Sequence, residues 1–250
     1  MKYLKQFENH SAYEAAQSSL ILPNVSLCVQ ENEVHYNPSS PVPPTPSHDY
    51  VEIGGLKWAT MNVGANSVTD TGLYFQWGDT QGYTASQVGS GEGQKYFGWA
   101  DYKYGNGTSS PGSSGMTRYN SSDLLTRLDI VDDAAHANWR GMWRMPTKDE
   151  YIALRNAVNT TWTTNYQGSG VAGLVCSAKT DSSKVLFFPA CGYCLNGSVY
   201  NVGIQGYYQS SSRHSSRPTF AFYFRCANGQ ANFQDNDWRN YGYTVRGVIG

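Results

Sequence analysis

The run Pro38-Ser-Ser-Pro-Val-Pro-Pro-Thr-Pro-Ser47 places five prolines in ten residues. Proline fixes φ and has no backbone N–H, so this stretch is extended, semi-rigid and unable to enter a sheet interior. The chain is therefore expected to divide into an N-terminal segment, 1–37, a Pro-rich linker, 38–48, and a main domain, 49–250. A segment of 37 residues buries too little apolar surface to fold alone. Residues 1–37 are expected to attach to something else: a larger particle, a partner subunit or another copy of the chain. Inside that segment the pattern predicts a helix near Phe7–Leu20 and short strands around Val25–Val29 and Glu33–Tyr36.

The main domain opens on Val51-Glu-Ile-Gly-Gly-Leu-Lys-Trp-Ala-Thr60, which reads as a strand, a Gly-Gly turn and a second strand. Residues 80–120 are rich in Gly, Ser and Tyr and are expected to form a long, structured surface loop. Helices are expected over Asp123–Leu128 and Asp132–Ala137. The clearest helix is Thr147–Val158: Thr147 and Glu150 form a capping box after Pro146, and Tyr151, Leu154 and Val158 share a face. Beyond residue 170 the pattern turns to strands, at Gly173–Ala178, Lys184–Pro189, Gly206–Ser210, Thr219–Cys226 and Tyr243–Ile249. An irregular first half, few helices and then antiparallel strands predict an α+β fold.

Composition narrows the function. The net charge of −1 supplies no long-range field toward nucleic acid. No apolar run is long enough to span a bilayer, so neither a nucleic-acid partner nor membrane insertion is expected. The start, MKYLKQFENHSAYEAA, lacks the apolar core of a secretory signal, and synthesis in the cytoplasm is expected. Only 15% of residues are charged, against 26 glycines and 19 tyrosines. Tyr offers contact area at low entropy cost, and Ser, Gly and Asn offer adaptable hydrogen bonding, as in recognition loops. The same composition also fits an ordinary β-rich domain with many turns. Five cysteines, Cys28, Cys176, Cys191, Cys194 and Cys226, make no even framework, so free thiols are expected.

Three stretches carry a resemblance: Ile53-Gly-Gly-Leu-Lys-Trp-Ala-Thr-Met-Asn62, Ala134-Ala-His-Ala-Asn-Trp-Arg-Gly-Met-Trp-Arg-Met-Pro-Thr-Lys-Asp-Glu-Tyr151 and Gly242-Tyr-Thr-Val-Arg246. Over about residues 50–250 the chain resembles the Fibrobacter succinogenes major paralogous domain, which implies a C-type-lectin-like fold with a small N-terminal extension. The family's aromatic-Trp-Ser-Ser element stands here as Tyr208-Gln209-Ser210-Ser211, without its Trp. Gly206-Tyr-Tyr-Gln-Ser-Ser-Ser, Phe220-Ala-Phe-Tyr-Phe and Trp238-Arg-Asn-Tyr-Gly-Tyr-Thr-Val-Arg are similar to the variable end of proteins diversified by a diversity-generating retroelement. Residues 20–38 are similar to leaders on structural proteins of Bacteroidales phages. These likenesses imply a phage tail receptor-binding protein, located on the virion, that recognises a bacterial surface protein or glycan. They also imply homotrimeric assembly; a bacterial cell-surface adhesin is the alternative.

The retroelement idea has a test in the sequence. Such elements mutate adenines in Asn codons, which are never rewritten into Lys, Glu, Met, Gln or Trp. The last Lys is Lys184, the last Glu is Glu150 and the last Met is Met145, yet five arginines and two aspartates follow Lys184. Gln205, Gln209, Gln230, Gln234 and Trp238 would then be fixed by the template.

Alternation in Thr219–Cys226 sends Phe220, Phe222 and Phe224 to one face, read as core, and Ala221, Tyr223 and Arg225 to the other, read as outward. The loop holding Arg213, His214 and Arg217 precedes it, and Asp235, Asp237, Trp238 and Tyr241 follow. These nine residues, Ala221 and the phenylalanines aside, are expected to converge on one exposed ligand-binding face. In the competing reading the charges are solvated loop groups and Trp238 is a packing residue. Asp235-Asn-Asp has oxygen ligands in a calcium-like order, but it lacks the elements that calcium-dependent lectins use, so no metal and no cofactor are expected. An oxidase of the formylglycine-generating type would need a reactive cysteine pair, for which Cys191 and Cys194 are the candidates. No Ser-His-Asp order or paired-carboxylate signature accompanies them, and no catalysis is expected.

Overall fold

The computed structural model describes the backbone of 2–6, 26–30 and 33–37, and residues 48–250 except 109–111. The chain separates into two compact units, Met1–Ser47 and His48–Gly250. The first holds β1 (Lys2–Gln6), β2 (Ser26–Gln30) and β3 (Glu33–Asn37), with β3 central and antiparallel to both neighbours. The strand β1 is additional to the sequence expectation. The Pro-rich run and the helix expected near Phe7–Leu20 lie outside the described residues.

The second unit is sheet-rich with few helices and is built from small antiparallel sheets. Strands β4 (Tyr50–Ile53) and β5 (Leu56–Asn62) form the expected hairpin. Gly54 and Gly55 turn it at φ +63° and +82°, a region glycine enters without steric penalty. Residues 80–120 hold little regular structure but are not only surface. Trp99, Tyr102, Tyr104, Met116 and Tyr119 from this stretch are buried in one core with Trp77, Trp139 and Trp143.

No helix forms over Asp123–Leu128. The Asp123 carboxylate instead accepts the N–H groups of Tyr119, Asn120 and Leu125, and Leu124 sits at φ +57°. A short acidic side chain here outcompetes the helical hydrogen bonds. Helix α1 (Ala134–Trp139) starts instead at Asp133, whose side chain accepts from His136 N–H. Helix α2 (Lys148–Ala157) carries the expected Thr147–Glu150 capping box and buries Tyr151 and Leu154.

A meander follows: β6 (Val158–Thr163), β7 (Gly173–Ala178) and β8 (Val185–Pro189). The hairpin of β9 (Tyr193–Leu195) and β10 (Ser198–Tyr200) turns through Asn196-Gly197, both at positive φ, a turn whose twist matches the flanking strands. Strands β11 (Gln205–Arg213), β12 (Phe220–Ala227) and β13 (Gln230–Trp238) form a three-stranded sheet with β12 central. β14 (Arg246–Ile249) then pairs with β5 of the β4–β5 hairpin. A second core lies beneath α2, where Trp58, Tyr151, Phe188, Tyr208, Phe224 and Phe233 pack together.

Two buried arginines close this architecture without a carboxylate partner among the described residues. Arg246 donates to Asn62 Oδ1 and to the carbonyls of Ala59, Thr60 and Phe187, with its guanidinium 4.7 Å from the Phe188 ring. Arg239 donates to Tyr102 Oη and to the carbonyls of Tyr119, Pro218 and Arg118. Fork geometry lets one guanidinium satisfy several fixed carbonyl acceptors at once, which a point-like ammonium does less well.

Candidate functional site

The register of the β11–β13 sheet fixes which side chains share a face. Gln209 stands opposite Tyr223 and Tyr207 opposite Arg225; across the other ladder Tyr223 pairs with Asp235 and Ala221 with Asp237. Directly opposed residues in a ladder lie on the same side, so Tyr207, Gln209, Tyr223, Arg225, Asp235 and Asp237 form one face. Phe220, Phe222 and Trp238 belong to the other.

The expected assignment of burial to these faces is corrected. Of the three phenylalanines only Phe224 is fully buried; Phe220 and Phe222 are half-buried. Tyr223, expected outward, is only 5% exposed. The ladder is irregular at two places, between Gln209 and Arg213 and between Tyr223 and Arg225. Bulges increase local twist and re-aim the strand, so one face of β12 does not stay on one side of the core along its length. The segment from Asp235 to Trp238, for which the sequence predicts no strand, is the end of β13. Its Asn and Asp residues have low strand propensity, and pairing with β12 overrides it. The Asn228-Gly229 dipeptide before β13 was the available hairpin signal.

The nine residues do not converge on one exposed face. Arg213 is 4% exposed and braces the turn, donating from Nε to Leu125 O at 2.8 Å and from Nη1 to the carbonyls of His214 and Ser215. His214 stacks on Phe222 at 5.2 Å, and burial followed by Arg217 and Arg213 lowers its pKa. Arg217 is exposed, lies 4.3 Å over the Phe220 ring and donates to Asn236 Oδ1. Trp238, 41% exposed, meets Phe220 and Trp99. His214, Arg217 and Trp238 thus group with the Phe220–Phe222 side.

On the opposite side lie Tyr223, Arg225, Asp235, Asp237 and Tyr241. Arg225 Nε pairs with Asp235 Oδ2 at 3.0 Å. Tyr207, Tyr223 and Tyr243 form a buried cluster against which the half-buried Tyr193 and Tyr241 pack. Tyr193 stacks on Tyr241 with rings 7° from parallel, and Tyr200 also stacks on Tyr193. Gly192, at φ +69°, makes this possible: an added Cβ would lie 2.0 Å from Tyr200 O. Sequence reasoning missed Tyr193, Tyr200, Tyr207 and Tyr243. The count of tyrosines signals recognition chemistry in general, but their meeting depends on the fold.

Between this cluster and the end of β13 is a narrow crevice, lined by Gln209, Ala221, Tyr223, Asp237, Trp238 and Tyr243 among others, with free space of about 10 Å³. That is room for roughly one water. Gln209 Oε1 and Tyr243 Oη are buried with no hydrogen-bond partner among the described residues. Burial, with the field of Asp235 added, pushes the Asp237 carboxyl above the ordinary carboxylate range, although Trp238 N–H donates to it. Toward the hairpin tip an open groove of about 420 Å³ runs along Arg225, Ala227, Gln230, Ala231 and Asn232.

Cys191 and Cys194 are both free and buried, in separate surroundings: Cys191 beside Asn62 and Tyr208, Cys194 against Tyr74 and Phe97. Burial pushes both thiols up, whereas nucleophilic cysteines are held down as thiolates. Cys176 and Cys226 are likewise free. No group of three or more His, Cys, Asp or Glu suited to a metal ion occurs among the described residues. Among the same residues no helix is long and apolar enough to cross a membrane. No family model matches the sequence, and neither the curated proteins nor the solved structures include a match to it.

Proposed function

We propose that this chain is a ligand-binding protein of C-type-lectin-like fold, carried as a receptor-binding protein on a phage tail, that recognises a bacterial surface protein or glycan. The contact surface in this reading is the side of the β11–β13 sheet that carries Arg225, Asp235, Asp237 and Tyr241, extended by Tyr193 and Tyr200. The observation that carries it is the gathering of five tyrosines, an Arg–Asp pair and a second carboxylate over a crevice too small for a metabolite. Tyrosine and arginine dominate the energetics of macromolecular contacts, while small-molecule sites are deep and mostly apolar. The sequence likeness to retroelement-diversified proteins supports the same reading, since β11–β14 lie in the tail lacking Lys, Glu and Met. Residues 1–37 serve as the attachment to the particle or partner subunit, and the assembly is a homotrimer.

Binding of the labelled full chain to intact Bacteroidales cells tests the reading. Replacing Tyr200, Arg225 and Tyr241 together with Ala is expected to abolish cell binding while the melting temperature stays within a few degrees, because all three are partly exposed. Retained binding with a lowered melt would overturn the surface assignment. Pretreating the cells with protease or with periodate separates a protein receptor from a glycan. A reverse-transcriptase gene beside the coding sequence, with a near-repeat of its 3′ end, distinguishes the diversified phage protein from an ordinary adhesin.

A further inference from the structure

We propose that the outer edge of β13 is closed to strand addition by the strand's own Asn232, Asp235 and Asp237 side chains, which keeps the domain from pairing edge to edge with a second copy of itself.

An edge strand presents a row of N–H and C=O groups that another strand can take up. The β11–β13 sheet has two such edges, and they differ. Other segments of the same unit cover the β11 edge: Leu128 N–H donates to Ser211 O, Arg213 N–H to Thr126 O, Gln209 N–H to Thr244 O and Gly192 N–H to Gln205 O. Along residues 230–237 of β13, no backbone hydrogen bond reaches any described segment other than β12.

The register fixes which β13 N–H groups face that open edge. Arg239 N–H donates to Thr219 O, so residues 219 and 239 are hydrogen-bonded partners. Along an antiparallel pair, hydrogen-bonded and non-hydrogen-bonded positions alternate. Phe220–Trp238 is therefore a non-hydrogen-bonded pair, and so is Phe222–Asn236. The N–H groups of Asn236 and Trp238 thus point away from β12. Neither is free: Asn236 N–H donates to Asp235 Oδ1 at 3.0 Å, and Trp238 N–H donates to Asp237 Oδ1 at 2.8 Å. Two residues before Asn236, Gln234 N–H donates to Asn232 Oδ1 at 3.2 Å. Three N–H groups at every second position are engaged by the strand's own side chains. Arg225 Nε holds the other Asp235 oxygen at 3.0 Å, which fixes that carboxylate in its capping position.

Short Asn and Asp side chains reach the neighbouring backbone in a way that longer ones do not, which gives these poor strand formers a use on β13. An incoming strand would have to break each side-chain bond and set its own carbonyls against carboxylate oxygens. A second copy would also bring Asp235 and Asp237 toward their counterparts, and like charges across a ladder destabilise it. The irregularity between Tyr223 and Arg225 adds local twist, which further spoils the edge as a template.

The test uses the full chain, so any assembly through residues 1–37 is common to every variant. Asn232→Ala, Asp235→Ala and Asp237→Ala together free the three N–H groups. Sedimentation velocity is expected to show concentration-dependent association to about twice the native mass or more. Hydrogen exchange is expected to show new protection confined to residues 231–238. Asp235→Asn with Asp237→Asn retains the capping oxygens and is expected to keep the native mass. Adding Asn236→Pro to the Ala variant removes one outward N–H without touching the ladder to β12, and it is expected to restore the native mass. A folded Ala variant of native mass would overturn the proposal. So would protection gained elsewhere, association that persists with Asn236→Pro, or equal association of the double Asn variant. If loss of the Arg225 partner unfolds the triple variant, Asn232→Ala with Asp237→Ala leaves the Arg225–Asp235 pair intact and carries the same expectations. No receptor enters these measurements, so their outcome is separate from that of the receptor-binding reading.

Discussion

Arg239 stands directly after Trp238 and fixes the turn that carries Tyr241 and Tyr243 into the candidate site, and replacing it with Met separates two views of a buried cation. The side chain is 1% exposed. It donates to Tyr102 Oη at 2.7 Å, Tyr119 O at 3.1 Å, Pro218 O at 2.7 Å and Arg118 O at 3.1 Å, and its guanidinium lies 4.6 Å from the Trp77 ring centroid. Replacing a buried ion pair by apolar residues is often neutral, because both desolvated groups go together. Here the partners are backbone carbonyls, which stay in place when the side chain is removed. Three orphaned carbonyls cost about 1–3 kcal/mol each. The recovered desolvation cost of the cation, several kcal/mol, offsets much of the upper part of that range, leaving a net loss of about 3 kcal/mol. In a unit of this size each kcal/mol moves the midpoint by about 2–4 °C, so a fall of roughly 6–12 °C is expected in a circular-dichroism melt. Arg239→Lys keeps the charge but not the fork and should fall between. A Met variant melting within about 2 °C of the native chain would refute the reasoning, since the carbonyls would then not depend on the guanidinium.

Two further outcomes are expected. Burial alone would raise the Glu150 carboxyl, but the two bonds from Arg144, at 2.6 and 2.8 Å, and those from Thr147 outweigh it and hold the group below its ordinary 4.5. A depressed folded-state pKa gives stability that is present above 4.5 and is lost as pH falls through the folded value, so Glu150→Gln should melt lower than the native chain at neutral pH and lose less on acidification to about pH 3; parallel pH profiles would refute it. Deleting residues 1–37 should leave a folded monomer by sedimentation and thermal melt while abolishing trimer formation, and an aggregated product would instead make that segment part of the main fold.

Some elements were legible because local chemistry alone decides them. The Gly54-Gly55 hairpin, the Thr147–Glu150 cap and the strand at Gly173–Ala178 each depend on residues within one or two turns of chain, and each stands where the pattern predicts. The Asp123 turn departs from its expectation because its side chain accepts from three nearby backbone N–H groups and fixes a turn in which Leu124 takes a positive φ. β13 departs because a ladder partner outweighs the poor strand propensity of Asn and Asp.

For the site, the sequence by itself marked the stretch, the aromatic and arginine chemistry, and the sharing of one strand face by Tyr223 and Arg225. It determined that much because side-chain alternation has a period of two and is local. Only the tertiary structure decided which face meets the core, since the two irregularities in the ladder twist the strand and take Phe220 and Phe222 partly out while drawing Tyr223 in. It also decided that Arg213 is a brace, that Tyr193 and Tyr241 meet as stacked rings, and that Gln209, Asp237 and Tyr243 line one narrow crevice. Those facts depend on contacts between segments tens of residues apart, and burial is a property of such contacts, which no local pattern encodes.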